Sequence, residues 1–112
     1  MYSEAQLKQA LSDTRSELQS LFGDNLSQVL LYGSYARGDQ DDESDIDVMA
    51  LVDLPDTQLA KYRRRVSELS SDIDLKYDVF LSIVLQDTDT FRRYANTIPF
   101  FQSVNREGIK VG

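Results

Sequence analysis

Two short apolar runs, each bounded by turn-forming residues, constrain the fold of this chain most strongly. Residues 29–32 end at Gly33, and residues 46–52 end shortly before Pro55. An apolar run of this length between turn signals is typical of a buried strand. A third strand is predicted over residues 77–85. The strands alternate with helical segments, so we expect an α/β or α+β domain built around a small sheet.

Helical segments are predicted on both sides of these strands. Leucines recur at helical spacing over residues 3–22, with Ser3 as the N-cap and Gly23 as the stop signal. The remaining predictions are a short helix over 34–38, a loop over 39–44, a helix from Pro55 to about residue 72, and short helices over 87–95 and 99–107. No repeat or linker is visible, and we expect one domain over residues 1–112.

Composition excludes several classes of function. The chain has no cysteine and no histidine, so thiolate metal sites and the usual general base are absent. A net charge of −7 argues against nucleic-acid binding, because contact with phosphates needs a basic surface. The basic run Arg63–Arg65 is interpreted as a solvated helix face. There is no signal-peptide pattern and no apolar stretch that could span a membrane, so we expect a cytoplasmic protein without membrane contact.

Acidic residues crowd the segment GSYARGDQDDESDID, residues 33–47, which holds six carboxylates within nine positions. Asp45 and Asp47 are two apart at the start of a predicted strand, so their side chains project to the same side. Their repulsion would be relieved by a divalent cation, and Mg²⁺ fits best because it prefers carboxylate and phosphate oxygens. The other four acids are interpreted as solvated loop: Asp39, Asp41, Asp42 and Glu43.

The start of the same segment has the features of an anion site. Gly33 allows a tight turn and close approach, and the helix beginning at Ser34 offers free N–H groups and a hydroxyl to phosphate. Asp78, at the start of the predicted third strand, could complete a trio of acids if that strand neighbours the second, and it could then accept a proton from an attacking hydroxyl. Asp74 is a competitor that we interpret as ending a helix. Tyr35 could stack on a base, a role that the sequence leaves open.

Gly33-Ser34, ten residues, then Asp45-Ile46-Asp47 resembles the G-S-x10-D-x-D signature of the DNA polymerase beta-like nucleotidyltransferase superfamily, in its minimal nucleotidyltransferase branch. The resemblance implies the nucleotidyltransferase fold, with a small mixed sheet across nearly the whole chain. It implies that Gly33 and Ser34 hold a triphosphate, and that Asp45 and Asp47 ligate two Mg²⁺ ions. Asp78 would share one metal, and Arg37 would contact phosphate or form an ion pair with the acidic loop.

The resemblance also implies a function. Members of the minimal branch are antitoxins of HEPN ribonuclease toxins, and some transfer AMP from ATP to a toxin tyrosine. We therefore expect Mg²⁺-dependent transfer of AMP to a protein hydroxyl, with a HEPN-type toxin as partner. Two alternatives remain open: an antitoxin that acts by binding alone, and an enzyme for a small molecule. An aromatic cluster near the carboxyl end could be core or a partner contact, and oligomerisation stays possible; the cluster is Tyr94, Phe100 and Phe101.

Overall fold

The computed structural model describes residues 2–112 and has helices on both faces of a four-stranded sheet. The helices are α1 Glu4–Phe22, α2 Ser34–Arg37, α3 Asp56–Leu59, α4 Arg63–Tyr77, α5 Thr88–Tyr94 and α6 Pro99–Glu107; the strands are β1 Leu26–Tyr32, β2 Ile46–Val52, β3 Leu81–Asp87 and β4 Ile109–Lys110. Short 3-10 turns lie at Gly23–Asn25 and Ala60–Tyr62. In the described part of the chain, no helix combines the length and the apolar character that crossing a membrane requires.

The sheet is mixed, as expected. The strand order is β3-β2-β1-β4; β1 pairs antiparallel with β2 and β4, while β2 and β3 run parallel. Strand β2 is central and uniformly apolar after Asp47, because helices cover both of its faces. This arrangement leaves β3 at an edge of the sheet and gathers the start of β2 and the end of β1 at one place.

Side chains alternate along β2 and divide the core into two layers. Ile46 and Val48 face the layer formed with α1 and α4, whereas Met49 and Leu51 face α5 and α6. Asp47 has the same parity as Met49, so it projects toward the α5 and α6 side, where it is half-buried.

The amino-terminal helix begins and ends where the sequence predicts. The Ser3 hydroxyl accepts from the Gln6 N–H at 3.0 Å, and the Gln6 side chain accepts from the Ser3 N–H at 2.8 Å. This reciprocal pair satisfies two N–H groups at the start of α1. Gly23, with φ 57°, ends the helix.

Two predicted boundaries are wrong. The helix from Pro55 divides into α3, a 3-10 turn and α4, and it continues to Tyr77 rather than stopping near residue 72. The third strand accordingly begins at Leu81 instead of at residue 77. The helix is extended by tertiary contacts, since Ile73 is buried in the core and the Tyr77 hydroxyl donates to Asp13 of α1 at 2.5 Å. Strand β4 was not predicted.

Candidate active site

The turn between β1 and α2 needs glycine for two separate reasons. Gly33 has φ 74° and ψ −154°, a backbone conformation that residues with a side chain rarely adopt. A Cβ atom built at this position would also collide with the Asp47 carboxylate. The carboxylate therefore lies directly against the turn that starts α2, and the first N–H groups of that helix, at Ser34 and Tyr35, have no partner within the helix.

Asp45 and Asp47 lie at the start of β2, on the side that faces this turn. Asp47 is level with Tyr32 of β1 and with Ser82 of β3, and it is half-buried, whereas Asp45 is exposed just before the strand. Burial raises the pKa of the Asp47 carboxyl, and the negative charge of Asp45 raises it further, while Arg37 opposes both effects. The two acids are thus close enough to repel each other, as expected.

The negative charge of Asp47 also affects the phenol of Tyr32. Burial raises its pKa to about 12, and the charge of Asp47 contributes to this. Its ring meets the ring of Phe100 edge-on, with the centroids 5.6 Å apart. The Tyr32 phenol therefore stays neutral beside Asp47 and does not offset the negative charge of that carboxylate.

Arg37 forms ion pairs with two carboxylates at the surface. Its guanidinium lies 3.0 Å from Asp39 in the acidic loop and 3.3 Å from Glu107 at the end of α6. These hydrogen bonds raise the pKa of Arg37, first through Asp39 and then through Glu107. Of the two roles expected for Arg37, the structure contains the ion pair with the loop.

The acidic loop forms hydrogen bonds within itself. The Asp41 carboxylate accepts from the Glu43 N–H at 2.9 Å and from the Ser44 hydroxyl at 3.1 Å. The Asp41 N–H in turn donates to the Ser44 hydroxyl at 3.0 Å. This loop is a hydrogen-bonded surface turn, consistent with the interpretation as solvated loop.

Asp78 does not lie on a strand, which corrects the position predicted for the third acid. It ends α4 in the left-handed conformation, with φ 54° and ψ 54°, and its side chain is exposed. The backbone position level with Asp45 on the neighbouring chain segment belongs instead to Phe80, whose carbonyl accepts from the Ile46 N–H at 2.8 Å. No contact among residues 2–112 brings the Asp78 carboxylate to the other two.

Asp74 is the acid that the structure brings toward Asp45. Its carboxylate accepts from the Leu81 N–H at 2.8 Å, which anchors it at the start of β3. Burial raises the pKa of Asp74, and the charge of Asp45 raises it further against the lowering effect of that hydrogen bond. Position in the sequence favoured Asp78 because a strand was expected there; because α4 is longer than predicted, Asp74 rather than Asp78 contacts the start of β3.

Tyr2 contacts Phe80 and Tyr35 near this end of the site, a placement that nothing in the sequence indicated. Its hydroxyl accepts from the Phe80 N–H at 2.8 Å, and its ring stacks on Tyr35 with the centroids 5.7 Å apart and the planes at 15°. Tyr35 itself is buried, with 7% of its surface exposed. The face that could have stacked on a base is used within the protein.

The aromatic residues near the carboxyl end differ in burial. Phe101 is buried against Phe91, with the ring centroids 5.3 Å apart, so it belongs to the core. Phe100 and Tyr94 are exposed by 45% and 38%.

The donor set fits a metal that completes its coordination with ligands from substrate. Asp45 and Asp47 supply hard oxygen ligands, and neither forms an ion pair with another described residue. Among residues 2–112 there is no group of three or more acids placed to hold an ion. Mg²⁺ is commonly bound by one or two carboxylates together with water and phosphate oxygens, so the pair suits it when a nucleotide is present.

Comparison with known proteins identifies the family. The model of the nucleotidyltransferase domain family matches residues 11–98. The "Putative protein adenylyltransferase MJ0141" of Methanocaldococcus jannaschii is 32% identical over 103 residues, covering 90% of this chain and 94% of that protein. The "Putative protein adenylyltransferase MJ0604" of the same organism is 29% identical over 101 residues, covering 90% and 93%.

Solved structures show the same fold. A toxin-antitoxin crystal structure with AMP-PNP aligns with a TM-score of 0.55 at 22% identity, covering 90% of this chain and 72% of that one. A mutant of the toxin-antitoxin MntA-HpeT aligns with a TM-score of 0.52 at 24% identity, covering 89% and 70%. The fold and the paired acids define a nucleotidyltransferase. The chain belongs to the nucleotidyltransferase domain family.

Proposed function

We propose that this nucleotidyltransferase transfers AMP from Mg²⁺-ATP to a hydroxyl group of a partner protein. The observation that carries the proposal is the placement of the Asp47 carboxylate against the glycine turn of α2, with Asp45 close to Asp47, so that a cation site and an anion site adjoin. A nucleoside triphosphate with its metal has the charges that both sites require. The two relatives named as protein adenylyltransferases support the same reaction.

In the proposed reaction, the acceptor oxygen attacks the α-phosphorus of ATP. The new O–P bond forms as the bond from the α-phosphorus to the bridging oxygen breaks, and pyrophosphate leaves. Gly33 and Ser34 would hold the triphosphate, and Asp45 and Asp47 would hold the metal, for which we propose two ions. Bound metal stabilises charge on the attacking and leaving oxygens.

The proton of the attacking hydroxyl needs an acceptor, and Asp74 suits this role better than Asp78. Its carboxylate is fixed by the Leu81 N–H and lies within the electrostatic influence of Asp45. A raised pKa makes a carboxylate a better proton acceptor. Asp78 is exposed at the helix end, and its predicted role has no support from the structure.

The partner is proposed to be a toxin of the HEPN class, with this chain as its antitoxin. The structures similar to this one are toxin-antitoxin proteins, one of them with AMP-PNP, and the resemblance of the sequence motif implies the HEPN class. We place the reaction in the cytoplasm and assign it to a single domain over residues 1–112.

The test is transfer of labelled AMP from ATP to the protein encoded by the neighbouring reading frame. We expect Asp45→Asn and Asp47→Asn to lower labelling by at least a hundredfold, because each removes a metal ligand. Asp78→Asn is the matched control and should keep close to full labelling. Equal labelling by the wild type and the Asp45→Asn and Asp47→Asn variants would refute the proposal.

A second candidate is an antitoxin that neutralises its toxin by binding alone. It is favoured by the absence of a third acid grouped with Asp45 and Asp47 among residues 2–112. In that case Asp45→Asn and Asp47→Asn would still neutralise the toxin. Loss of neutralisation with unchanged binding would rule this candidate out.

A further inference from the structure

One edge of the sheet is open, and it leads directly to the proposed site. Strand β3 has a neighbour on one side only, and a cleft of about 550 Å³ follows its free edge beside α4. Each of the consecutive residues 81–85 lines this cleft. Residues from both faces of β3 therefore border the cleft, as expected for a cleft that runs along the free edge of the strand. The volume lies in the range of ligand-binding clefts.

The backbone groups on this edge are only partly satisfied. Because Ile46 is level with Leu81 and bonds to the Phe80 carbonyl, the odd-numbered residues of β3 turn their N–H and C=O groups outward. Leu81 confirms this parity: its N–H donates to Asp74 at 2.8 Å, and its C=O accepts from the Ser70 hydroxyl at 3.0 Å. The outward groups of Ile83 and Leu85 have no hydrogen-bond partner among residues 2–112.

The edge also lacks the usual protection against pairing. Residues 81–85, LSIVL, contain no charge and no proline, the devices that commonly block an exposed edge strand. Only the end next to the site is covered, by side chains of α4. An extended peptide can therefore add to the edge at Ile83 and Leu85 by main-chain hydrogen bonds, with alternate side chains in the cleft.

We propose that the acceptor protein binds as an added strand on β3, through an extended basic segment that carries a tyrosine. This inference rests on the proposed AMP transfer and specifies how its protein substrate is held. The added strand would be two strand spacings, about 10 Å, from β2. Side chains on the face shared by Ser82 and Asp47 lie on the same side of the sheet as the Asp47 carboxylate. Tyrosine carries its hydroxyl farther from the backbone than serine or threonine and so would extend farthest toward that carboxylate.

Charge and shape favour this occupant over a second copy of the chain. One acid and one base line the cleft, Asp74 next to Leu81 and Arg63 at the start of α4. The chain as a whole has a net charge of −7, so a basic segment is attracted and a second copy is repelled. A second copy would also bring its own α4 beside its β3, so pairing two β3 edges would require room for both helices. A free segment of a partner meets neither obstacle.

The test uses a nine-residue peptide, KVKVYVKVK, in which valines alternate with a central tyrosine and flanking lysines. We expect the peptide to slow hydrogen exchange at the Ile83 and Leu85 amides at least tenfold, measured by NMR. The proline analogue KPKPYPKPK cannot form a strand and should change neither amide. Unchanged exchange at saturating KVKVYVKVK would overturn the inference.

A variant separates the docking surface from the chemistry. Ser67 lines the cleft and is exposed, so Ser67→Trp fills the cleft without touching the β2 ladder. We expect it to raise the KM for the peptide at least tenfold while the affinity for Mg²⁺-ATP is unchanged. Ser20→Trp, on the exposed side of α1, is the matched control and should leave both values as in the wild type. An unchanged KM in Ser67→Trp would overturn the inference even if transfer occurs.

Failure of the docking surface and failure of the proposed function give different results. If the peptide protects both amides but no AMP reaches its tyrosine or the partner protein, the docking surface stands and the proposed transfer is refuted. If AMP is transferred but neither the amides nor Ser67→Trp respond, the transfer stands and the docking surface is refuted. The peptide KVKVFVKVK should protect the amides without accepting AMP.

Discussion

Replacing Gly33 by alanine should lower the affinity for Mg²⁺-ATP as well as the free energy of unfolding. The backbone at Gly33, with φ 74° and ψ −154°, is close to a region that only glycine enters, and strain of this kind costs about 1–3 kcal/mol. The new Cβ must also displace the Asp47 carboxylate. Displacing a reacting group by about 1 Å costs on the order of a hundredfold in rate.

Gly23 provides a control with comparable strain and no collision. Its φ is 57° and its ψ −130°, and a Cβ there would meet no atom within 4 Å. Gly23→Ala should therefore lose a similar free energy of unfolding, measured by urea denaturation, and keep its affinity for Mg²⁺-ATP, measured by calorimetry. Gly33→Ala should lose both, with at least a tenfold fall in affinity. If Gly33→Ala binds Mg²⁺-ATP as tightly as Gly23→Ala does, the placement of Asp47 against the turn has no functional meaning.

Three further predictions concern the core, the ion pairs and pH. Met49→Ala should lower the free energy of unfolding in urea by about 2–5 kcal/mol, since the side chain is fully buried at the centre of β2; a smaller loss would contradict the packing. We expect Arg37→Gln to weaken the binding of Mg²⁺-ATP, measured by calorimetry, which would show that Arg37 also contacts phosphate. Glu107→Gln removes one of the ion pairs of Arg37 and is the comparison; it should leave the affinity unchanged. A hydrogen bond from Tyr77, and a smaller effect of one from a neighbouring lysine, lower the pKa of Asp13 below its ordinary value of 3.8. The ionised Asp13 therefore stabilises the fold above pH 3.8, and this stabilisation is lost as the pH falls through the pKa of Asp13 in the folded state. Tyr77→Phe should therefore flatten the loss of stability in acid, and an unchanged acid profile would show that the contact contributes nothing.

The sequence predicted the site where the information is local and missed it where tertiary contacts decide. The strand ending at Gly33, the short helix from Ser34 and the acids at 45 and 47 lie within one segment, so spacing alone brings them together. The third acid depends on where α4 ends. That end is determined by Ile73 in the core and by the contact of Tyr77 with α1, which no local pattern reveals.

The two smallest features of the sheet region depend on distant partners as well. Strand β4 has only two residues, Ile109 and Lys110, and it exists because β1 offers them a free edge. Tyr2 reaches Phe80, 78 positions away, through its hydroxyl. Neither β4 nor Tyr2 lies in a periodic sequence pattern, so only the folded chain shows their roles.

The position of bound metal tests the central claim most directly. Crystals grown with Mn²⁺ and a non-hydrolysable ATP analogue would locate the ions by anomalous scattering. We expect two ions on the Asp45 and Asp47 carboxylates, bridged to the phosphates, with the triphosphate at Gly33 and Ser34. Nucleotide bound without metal at this pair, or metal only on the acidic loop at Asp41, would contradict the proposed site.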